Sequence, residues 1–193
     1  VSSGAMVIQK NPMFHVDDNV LMNLNILKSC AENKVKKFIF ISSNTVYPVS
    51  TKAMSENDLN YSLFDKYFNV GWMKIFSEKI SEIYSNKINS DMSVLVIRPG
   101  NLYGEYDKYD WDKSKVIAAT IRKFAEKHNP ILVWGDGNDV KDFMYIKDFV
   151  DKLITLTEIN QNKFDIINLA SGSSITIKDV INSLKEISNF DPK

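Results

Sequence analysis

The chain has 193 residues, of which 44% are hydrophobic and 25% charged, a composition typical of a globular protein with one sizeable core. Its 24 basic and 24 acidic residues give zero net charge, which argues against a nucleic-acid partner, and no apolar run is long enough to span a membrane. The single cysteine, Cys30, excludes a disulfide framework and makes a reducing, cytoplasmic location the expectation.

The predicted elements alternate between helix and strand along the chain. Helices are expected where apolar residues recur at intervals of three or four, and strands where short runs are apolar and β-branched. In chain order the elements are a helix over 17–33, a strand over 36–42, a helix over 68–88, a strand over 93–99, a helix over 114–128, a strand over 130–134, a helix over 149–159, a strand over 164–170 and a helix over 176–187.

Local signals mark the starts of three helices. Asp17 or Asp18 could cap the first helix, and Asp148 could cap the fourth, because a carboxylate there can accept from a free backbone N–H. Thr176 and Asp179 have the spacing of a capping box, which predicts a sharp start for the last helix.

This alternation predicts a mostly parallel sheet with helices on both faces, in which ligands bind at the carboxyl ends of the strands. Polar loops lie at that place after two strands, SSNTVYP over 42–48 and RPGNLYG over 98–104. The GDGN turn over 135–138 is expected to lead into a hairpin, so it does not have the strand-to-helix context of a phosphate-binding loop.

Four sequence blocks carry a resemblance to a known family: FIFISSNTVYP over 38–48, GWMKIFSEK over 71–79, VIRPGNLYG over 96–104 and VWGDGNDVKDFMYIKDFV over 133–150. In this order and spacing they resemble the extended short-chain dehydrogenase/reductases of the NAD-dependent epimerase/dehydratase family, above all its GDP-L-fucose synthases and sugar 4-epimerases. The resemblance covers nearly the whole chain.

The resemblance implies an α/β fold, with a Rossmann-like doubly wound parallel sheet present in part and part of a small C-terminal substrate-binding lobe. Residues 1–100 are then the remainder of an NAD(P)-binding domain. Residues 101–193 hold substrate-lobe elements mixed with the last Rossmann strands. The implied activity is a nucleotide-sugar epimerase or reductase reaction, with NAD or NADP as the cofactor and hydride transfer at a sugar carbon.

The resemblance also implies catalytic roles for Ser43 and Lys74. Ser43 matches the hydroxyl residue that binds the sugar oxygen, although a serine here could simply cap the loop. Lys74 matches the lysine that binds the cofactor ribose and lowers the pKa of the catalytic base, although a helix lysine is usually solvated.

The base that the family uses is a tyrosine four residues before this lysine, because residues at i and i+4 share a helix face. Val70 occupies that position here. Tyr67, seven residues before Lys74, could supply the phenol if the helix begins with an irregular turn. The alternative is that Tyr67 is a half-buried aromatic residue at the start of the helix.

The remaining site residues are implied by position in the family pattern. Contacts with the cofactor are expected from Ser42, Lys74, Pro99, Asn101 and Leu102. Contacts with the nucleotide sugar are expected from Asn101, Val116, Lys123, Trp134 and Lys141. The alternatives are a core role for the tryptophan and surface positions for the lysines. Neither histidine has metal-ligand neighbours in sequence, so no metal site is expected.

Departures from the family pattern narrow the reaction. The acid pair of the sugar dehydratases is replaced by Asn44 and Thr45, which argues against dehydration. The loop lacks the cysteine of fucose synthase, and Lys115 stands at its histidine position, which argues against double epimerisation by that route.

Chains of this family begin with a strand and a glycine-rich GxxGxxG turn, and the seven glycines of this sequence do not form that pattern. The segment VSSGAMVIQKNPMFHVDDN over 1–19 resembles one that lies about a third of the way along the family's chains. We therefore expect a fragment of a longer enzyme or a natural short form, or a partner chain that supplies the missing half. The alternative function is a non-catalytic nucleotide-sugar or NAD-binding protein of the same fold. The helices over 17–33 and 68–88 resemble the pair that forms a four-helix homodimer contact in the family.

Overall fold

The computed structural model describes residues 8, 10–50, 52–88, 91–111 and 113–193. Part of the opening segment, residues 1–7 and 9, lies outside this description. In chain order the helices and strands are α1 (Asp17–Glu32), β1 (Lys37–Ile41), α2 (Phe68–Asn86), β2 (Ser93–Pro99), β3 (Asn101–Tyr103), α3 (Val116–Ala125), β4 (Val140–Tyr145), α4 (Ile146–Ile159), β5 (Phe164–Leu169), β6 (Ser174–Thr176) and α5 (Ile177–Ser188).

The chain divides into two compact units, the first formed by Val1–Gly100 and Asp151–Leu169. Its sheet has the order β1-β2-β5, and all three strands run parallel. The central strand, β2, is buried along almost its whole length because SVLVIRP presents apolar side chains to both faces. The predicted Rossmann-like arrangement of parallel strands is confirmed.

Helices α1 and α2 cover the β1 and β2 strands of this sheet. Leu27 of α1 packs against Phe40, Val94 and Val96, and Ile80 of α2 joins the same cluster. The two helices also contact each other, since the Asn23 amide of α1 donates to the Ser77 hydroxyl of α2 at 3.0 Å. Burying each large apolar side chain of this kind contributes about 1.5–3 kcal/mol, so the core fixes α2 against the sheet.

The second unit consists of Asn101–Val150 and Ala170–Lys193. Its short sheet has the order β3-β4-β6, with β3 parallel and β6 antiparallel to β4. Helix α5 begins with the capping box that the sequence predicts: Thr176 Oγ1 accepts from the Asp179 N–H at 3.1 Å, and the Asp179 carboxylate accepts from the Thr176 N–H at 2.8 Å.

Three local predictions are wrong. Residues 130–134 form no strand. The Ile131 N–H donates to the carbonyl of Lys193, and the Leu132 carbonyl accepts from the Lys123 ammonium, so neither group is bonded to a neighbouring strand. Consequently no hairpin follows the GDGN turn, and β4 pairs with β3 and β6 instead. The third wrong prediction is that aspartates cap α1 and α4.

The aspartates expected as caps lie inside the first turns of their helices. Val16 occupies the N-cap position of α1, with no side-chain cap, and Asp17 and Asp18 are its first two helical residues. Helix α4 begins at Ile146, so Asp148 also lies in the first turn. A carboxylate there still stabilises the helix by interacting with its dipole.

Three strands, β3, β4 and β6, are absent from the predicted elements, and the helix expected over 114–128 is shorter, ending at Ala125. Among the described residues, no helix has both the length and the apolar character needed to cross a membrane.

Candidate active site

Lys74 lies on α2 with its side chain at the carboxyl end of β1. Its ammonium donates to the carbonyl of Ile41, the last residue of β1, at 2.8 Å. It also lies 5.0 Å from the centre of the Phe40 ring, a favourable position for a cation. Burial lowers the pKa of Lys74 below its ordinary value because the charged form loses water, and the nearby Glu78 carboxylate partly opposes this. The lysine is therefore held in place and partly desolvated.

Ser43 begins the loop that follows β1. Its Oγ accepts from the Thr45 N–H at 3.1 Å and from the Thr45 hydroxyl at 3.0 Å, and so it caps the short 3₁₀ helix Asn44–Val46. The capping role considered for this serine is thus real. Because Ser43 accepts in both contacts, its own hydroxyl proton is available to donate, and capping does not conflict with binding a sugar oxygen.

Ser42 points into the protein. Its N–H donates to the Ile97 carbonyl at 2.7 Å, which extends the β1–β2 pairing by one residue, and its buried hydroxyl donates to the Glu78 carboxylate. Its side chain therefore belongs to the packing beneath the loop. The cofactor contact expected for Ser42 stays a prediction.

A buried polar network lies below the carboxyl ends of the strands. The Arg98 guanidinium of β2 binds both oxygens of Glu78, at 3.0 and 2.7 Å, and the two side chains are only 1% and 5% exposed. Arg98 also donates to the Tyr47 hydroxyl at 2.7 Å, which in turn donates to Asn168 of β5 at 2.7 Å. The network thus joins the loop after β1 and the ends of β2 and β5 to α2.

Tyr47 is the phenol in the loop that follows Ser43, but its position does not suit a base. Burial raises the pKa of Tyr47 above its ordinary value, and this outweighs the opposing effects of Arg98 and Asn168. Its oxygen is already engaged by Arg98 as donor and by Asn168 as acceptor. At neutral pH Tyr47 therefore keeps its proton and acts as a structural link.

Tyr67 stands at the N-cap of α2, where a short 3₁₀ helix, Asp65–Tyr67, leads into the α-helix. The irregular turn that the Tyr67 hypothesis requires is therefore present. The Tyr67 ring meets the Phe64 ring edge to face, with centroids 5.8 Å apart. Val70, at the position of the family's tyrosine, is half-buried in the first turn of α2.

Comparison with known proteins identifies the family. Residues 4–170 match the model of the NAD dependent epimerase/dehydratase family. The chain belongs to this family.

The relatives that match this chain are longer than it is. This chain is 28% identical to GDP-L-colitose synthase of Yersinia pseudotuberculosis over 190 residues, and 24% identical to GDP-L-fucose synthase of Escherichia coli over 193 residues. Each alignment covers 93% of this chain and 60% of the relative. The fold matches a UDP-glucose 4-epimerase from Thermotoga maritima, solved with UDP-glucose, with a TM-score of 0.83 at 22% identity, over 98% of this chain and 59% of that one. The chain thus spans about 60% of the length of these proteins.

For a member of this family, the residues at the end of β1 fit one end of a dinucleotide. Lys74 offers a cationic donor and Ser43 a hydroxyl, groups that suit a ribose and a reacting sugar oxygen. The sequence's glycines, at positions 4, 71, 100, 104, 135, 137 and 172, do not form the GxxGxxG turn that holds a pyrophosphate. The fit is therefore limited to the groups that Lys74 and Ser43 offer.

The expected substrate residues all lie in the second unit. Asn101 of β3 donates its amide to the Asp142 carbonyl at 2.9 Å, and Lys123 of α3 donates to the Leu132 carbonyl at 2.6 Å, so both side chains have partners in the fold. Trp134 is 70% exposed, which excludes the core role considered for it. The others are Val116, the first residue of α3, and Lys141 of β4, both half-buried.

The two remaining cofactor residues lie in different units. Pro99 is buried at the end of β2 in the first unit, and Leu102 is half-buried in β3 in the second. Among the residues that the structure describes, no group of three His, Cys, Asp or Glu side chains is arranged to hold a metal ion.

Sequence reasoning missed the residues of the buried network. One signal could have found Arg98, since it is the only charge in the otherwise apolar strand SVLVIRP and therefore needs a buried partner. Glu78 carries no comparable signal, because other acidic residues, Glu82 and Asp91, lie closer to Arg98 in sequence.

Proposed function

We propose that this chain is the lysine-bearing part of an NAD(P)-dependent nucleotide-sugar epimerase or reductase that transfers hydride at a sugar carbon. The observation that carries the proposal is the Lys74 ammonium at the carboxyl end of β1, bound to the Ile41 carbonyl, two residues before the Ser43 hydroxyl. A bound nicotinamide would accept or deliver the hydride.

In this proposal Lys74 binds the ribose hydroxyls of the cofactor, and its positive charge favours ionisation of a nearby phenol. Ser43 donates to the sugar hydroxyl, or to the carbonyl that replaces it. Tyr67 takes the hydroxyl proton, a role supported by the 3₁₀ turn that carries it and by the exclusion of Tyr47 as a base.

The proposed substrate is a sugar linked to a nucleoside diphosphate. Lys141 would attract the diphosphate, with a point charge where the family uses an arginine fork. Trp134 presents an exposed ring that suits an apolar or aromatic part of the nucleotide. The remaining contacts are those proposed for Asn101, Val116 and Lys123. The relatives named above, a GDP-sugar synthase among them, support this substrate class.

Isothermal titration tests the proposal on the full natural protein that contains this chain. We expect the protein to bind NAD or NADP and at least one UDP- or GDP-sugar. The proposal is contradicted if no combination of cofactor and nucleotide sugar binds. Replacing Lys74 with Met should weaken cofactor affinity about tenfold or more, because hydrogen bonds from a charged donor are lost. Lys79→Met, an exposed lysine on the same helix, is the matched control.

Val70 favours a second candidate function, a non-catalytic nucleotide-sugar-binding protein, because valine has no proton chemistry at the position of the family's base. Replacing Val70 with Tyr separates the two. If Tyr67 is the base, hydride transfer measured by NAD(P)H absorbance is present before the substitution. Activity that appears only in Val70→Tyr would establish the non-catalytic function and rule out Tyr67 as the base.

We also propose a homodimer formed through α1 and α2. Both helices expose large apolar side chains: Leu21, Met22 and Ile26 on α1, and Phe68, Trp72, Phe76 and Ile83 on α2. Such a surface, shared by two neighbouring helices, suits a self-complementary four-helix contact. A cytoplasmic location is proposed with it, in agreement with the single free cysteine.

Sedimentation velocity tests the dimer. The natural protein is expected to sediment as a dimer, and the double substitution Ile26→Glu and Phe76→Glu should convert it to monomer because four charges would be buried at the contact. The matched control is Ile187→Glu, an exposed apolar residue of α5 in the second unit. A monomeric natural protein would contradict this proposal.

A further inference from the structure

Two residues one turn apart on α2 bind two consecutive residues at the end of β1. Lys74 donates to the carbonyl of Ile41, and the Glu78 carboxylate accepts from the hydroxyl of Ser42. Residues at i and i+4 lie on one helix face, so these contacts attach the same face of α2 to the strand end directly before Ser43.

Arg98 fixes the orientation of the Glu78 carboxylate. It binds both carboxylate oxygens, at 3.0 and 2.7 Å, and a two-point contact of this kind restricts rotation as well as distance. Glu78 cannot leave Ser42 without also disturbing this pair, which is almost completely buried. Ser42 is in turn paired with β2 through its N–H and the Ile97 carbonyl. The position of the loop after β1 therefore depends on Glu78.

On the basis of the function proposed above, we propose that Glu78 is a positioning residue for the reaction. By holding Ser42 on the helix that carries Lys74, it fixes the spacing between the Ser43 hydroxyl and the Lys74 ammonium. These are the two groups that would meet the reacting sugar and the nicotinamide ribose, and Glu78 itself touches neither ligand.

Glu78 also acts on the charge of Lys74. Burial favours the neutral amine, whereas the negative carboxylate one turn away favours the ammonium. The other groups that surround this pair are Arg98 of β2, which is paired with Glu78, the protonated Tyr47, and the Phe40 ring and Ile41 carbonyl of β1. Removing the charge of Glu78 should therefore lower the pKa of Lys74 further.

The experiment uses the full natural protein and three variants. Glu78→Gln removes the charge but keeps the shape. Ser42→Ala removes the buried hydroxyl that links Glu78 to the strand end and leaves the Ser42 backbone, with any cofactor contact that the backbone makes, in place. Tyr47→Phe is the control, because it alters the Arg98 side of the network without touching Ser42, Glu78 or Lys74. Two quantities are measured: the pH midpoint of Lys74 acetylation by acetic anhydride, followed by peptide mass spectrometry, and the Kd of NAD and NADP.

We expect Glu78→Gln to move the acetylation midpoint of Lys74 to lower pH. Ser42→Ala should leave that midpoint unchanged and weaken cofactor binding by at most about tenfold, because binding must then restore a geometry that one hydrogen bond to a charged group had held. Tyr47→Phe should leave both quantities unchanged. If Glu78→Gln does not fold, the comparison of Ser42→Ala with Tyr47→Phe decides the proposal.

The proposal is overturned if Ser42→Ala binds the cofactor as tightly as the natural protein, or if Tyr47→Phe weakens binding as much as Ser42→Ala does. If the natural protein binds neither NAD nor NADP, the proposed function fails and the positioning role fails with it. If the natural protein binds the cofactor and Ser42→Ala binds it equally tightly, only the positioning role fails.

Discussion

Replacing Arg98 with Met is expected to lower the free energy of unfolding by about 3–5 kcal/mol, because the Glu78 carboxylate would remain buried without its partner. Glu78 and Arg98 are 5% and 1% exposed, so water does not replace the lost bonds. The Tyr47 hydroxyl and the Glu56 carbonyl lose a donor at the same time. Urea unfolding followed by circular dichroism at pH 7 measures the difference.

Two control variants identify the cause of this loss. Lys36→Met breaks the ion pair with Asp91, whose side chains are 73% and 80% exposed, and should change stability little because both charges are already in water. The double variant Arg98→Met with Glu78→Met should be more stable than Arg98→Met alone, since no unpaired charge is left in the interior. A loss below about 1 kcal/mol in Arg98→Met would contradict the interpretation that the pair is isolated from water.

The sheet of the first unit could be predicted because its strands are defined by local composition. FIFI and SVLVI are short, apolar and β-branched, and no other element accommodates such runs as well. The same reasoning failed for PILVW, an equally apolar run that forms no strand. A strand needs a partner for its ladder, and the sequence of the run itself carries no information about that partner.

The polar network could not be predicted because its members are distant in sequence. Ser42 meets Glu78 across 36 residues, and Tyr47 meets Asn168 across 121. Periodicity indicates which face of an element is buried, but it does not indicate which polar group of another element lies opposite. The resemblance placed Lys74 and Ser43 through their motifs, and the structure adds the contacts that hold them.

Tyr67 shows a different limit of sequence reasoning. The spacing of seven residues from Lys74 would place it on the same face of an ideal helix. In the structure the residue stands where a 3₁₀ helix changes into α2, and the direction of its side chain depends on that irregular turn. The sequence does not specify the geometry of such a turn, so the role of Tyr67 as the base remains a prediction that the Val70→Tyr experiment tests.

Gly71, next to Val70, should not tolerate even a methyl group. A Cβ at this position would lie 2.7 Å from the Thr45 carbonyl oxygen and 2.9 Å from Cδ1 of Leu63. The Leu63 side chain can rotate away, but the Thr45 carbonyl is part of the 3₁₀ helix that Ser43 caps, so backbone would have to move. Close approach of α2 to this loop therefore requires glycine.

Two effects of Gly71→Ala oppose each other. Alanine in place of glycine inside a helix normally stabilises by about 0.5–1 kcal/mol, whereas overpacking a close contact costs about 1–3 kcal/mol. Because the contact involves backbone, we expect the second effect to dominate and the free energy of unfolding to fall by about 1–2 kcal/mol. Urea unfolding measures this, with Lys79→Ala, at an exposed position of α2, expected to stay within about 0.5 kcal/mol of the natural protein.

The same substitution connects packing to the proposed chemistry. If α2 moves away from Thr45 to make room for the methyl group, the helix that carries Lys74 also moves relative to the loop that carries Ser43. Cofactor affinity should then fall together with stability, as in Ser42→Ala. If Gly71→Ala is more stable than the natural protein, the loop moves without a loss of stability, and this contact does not set the separation of Lys74 and Ser43.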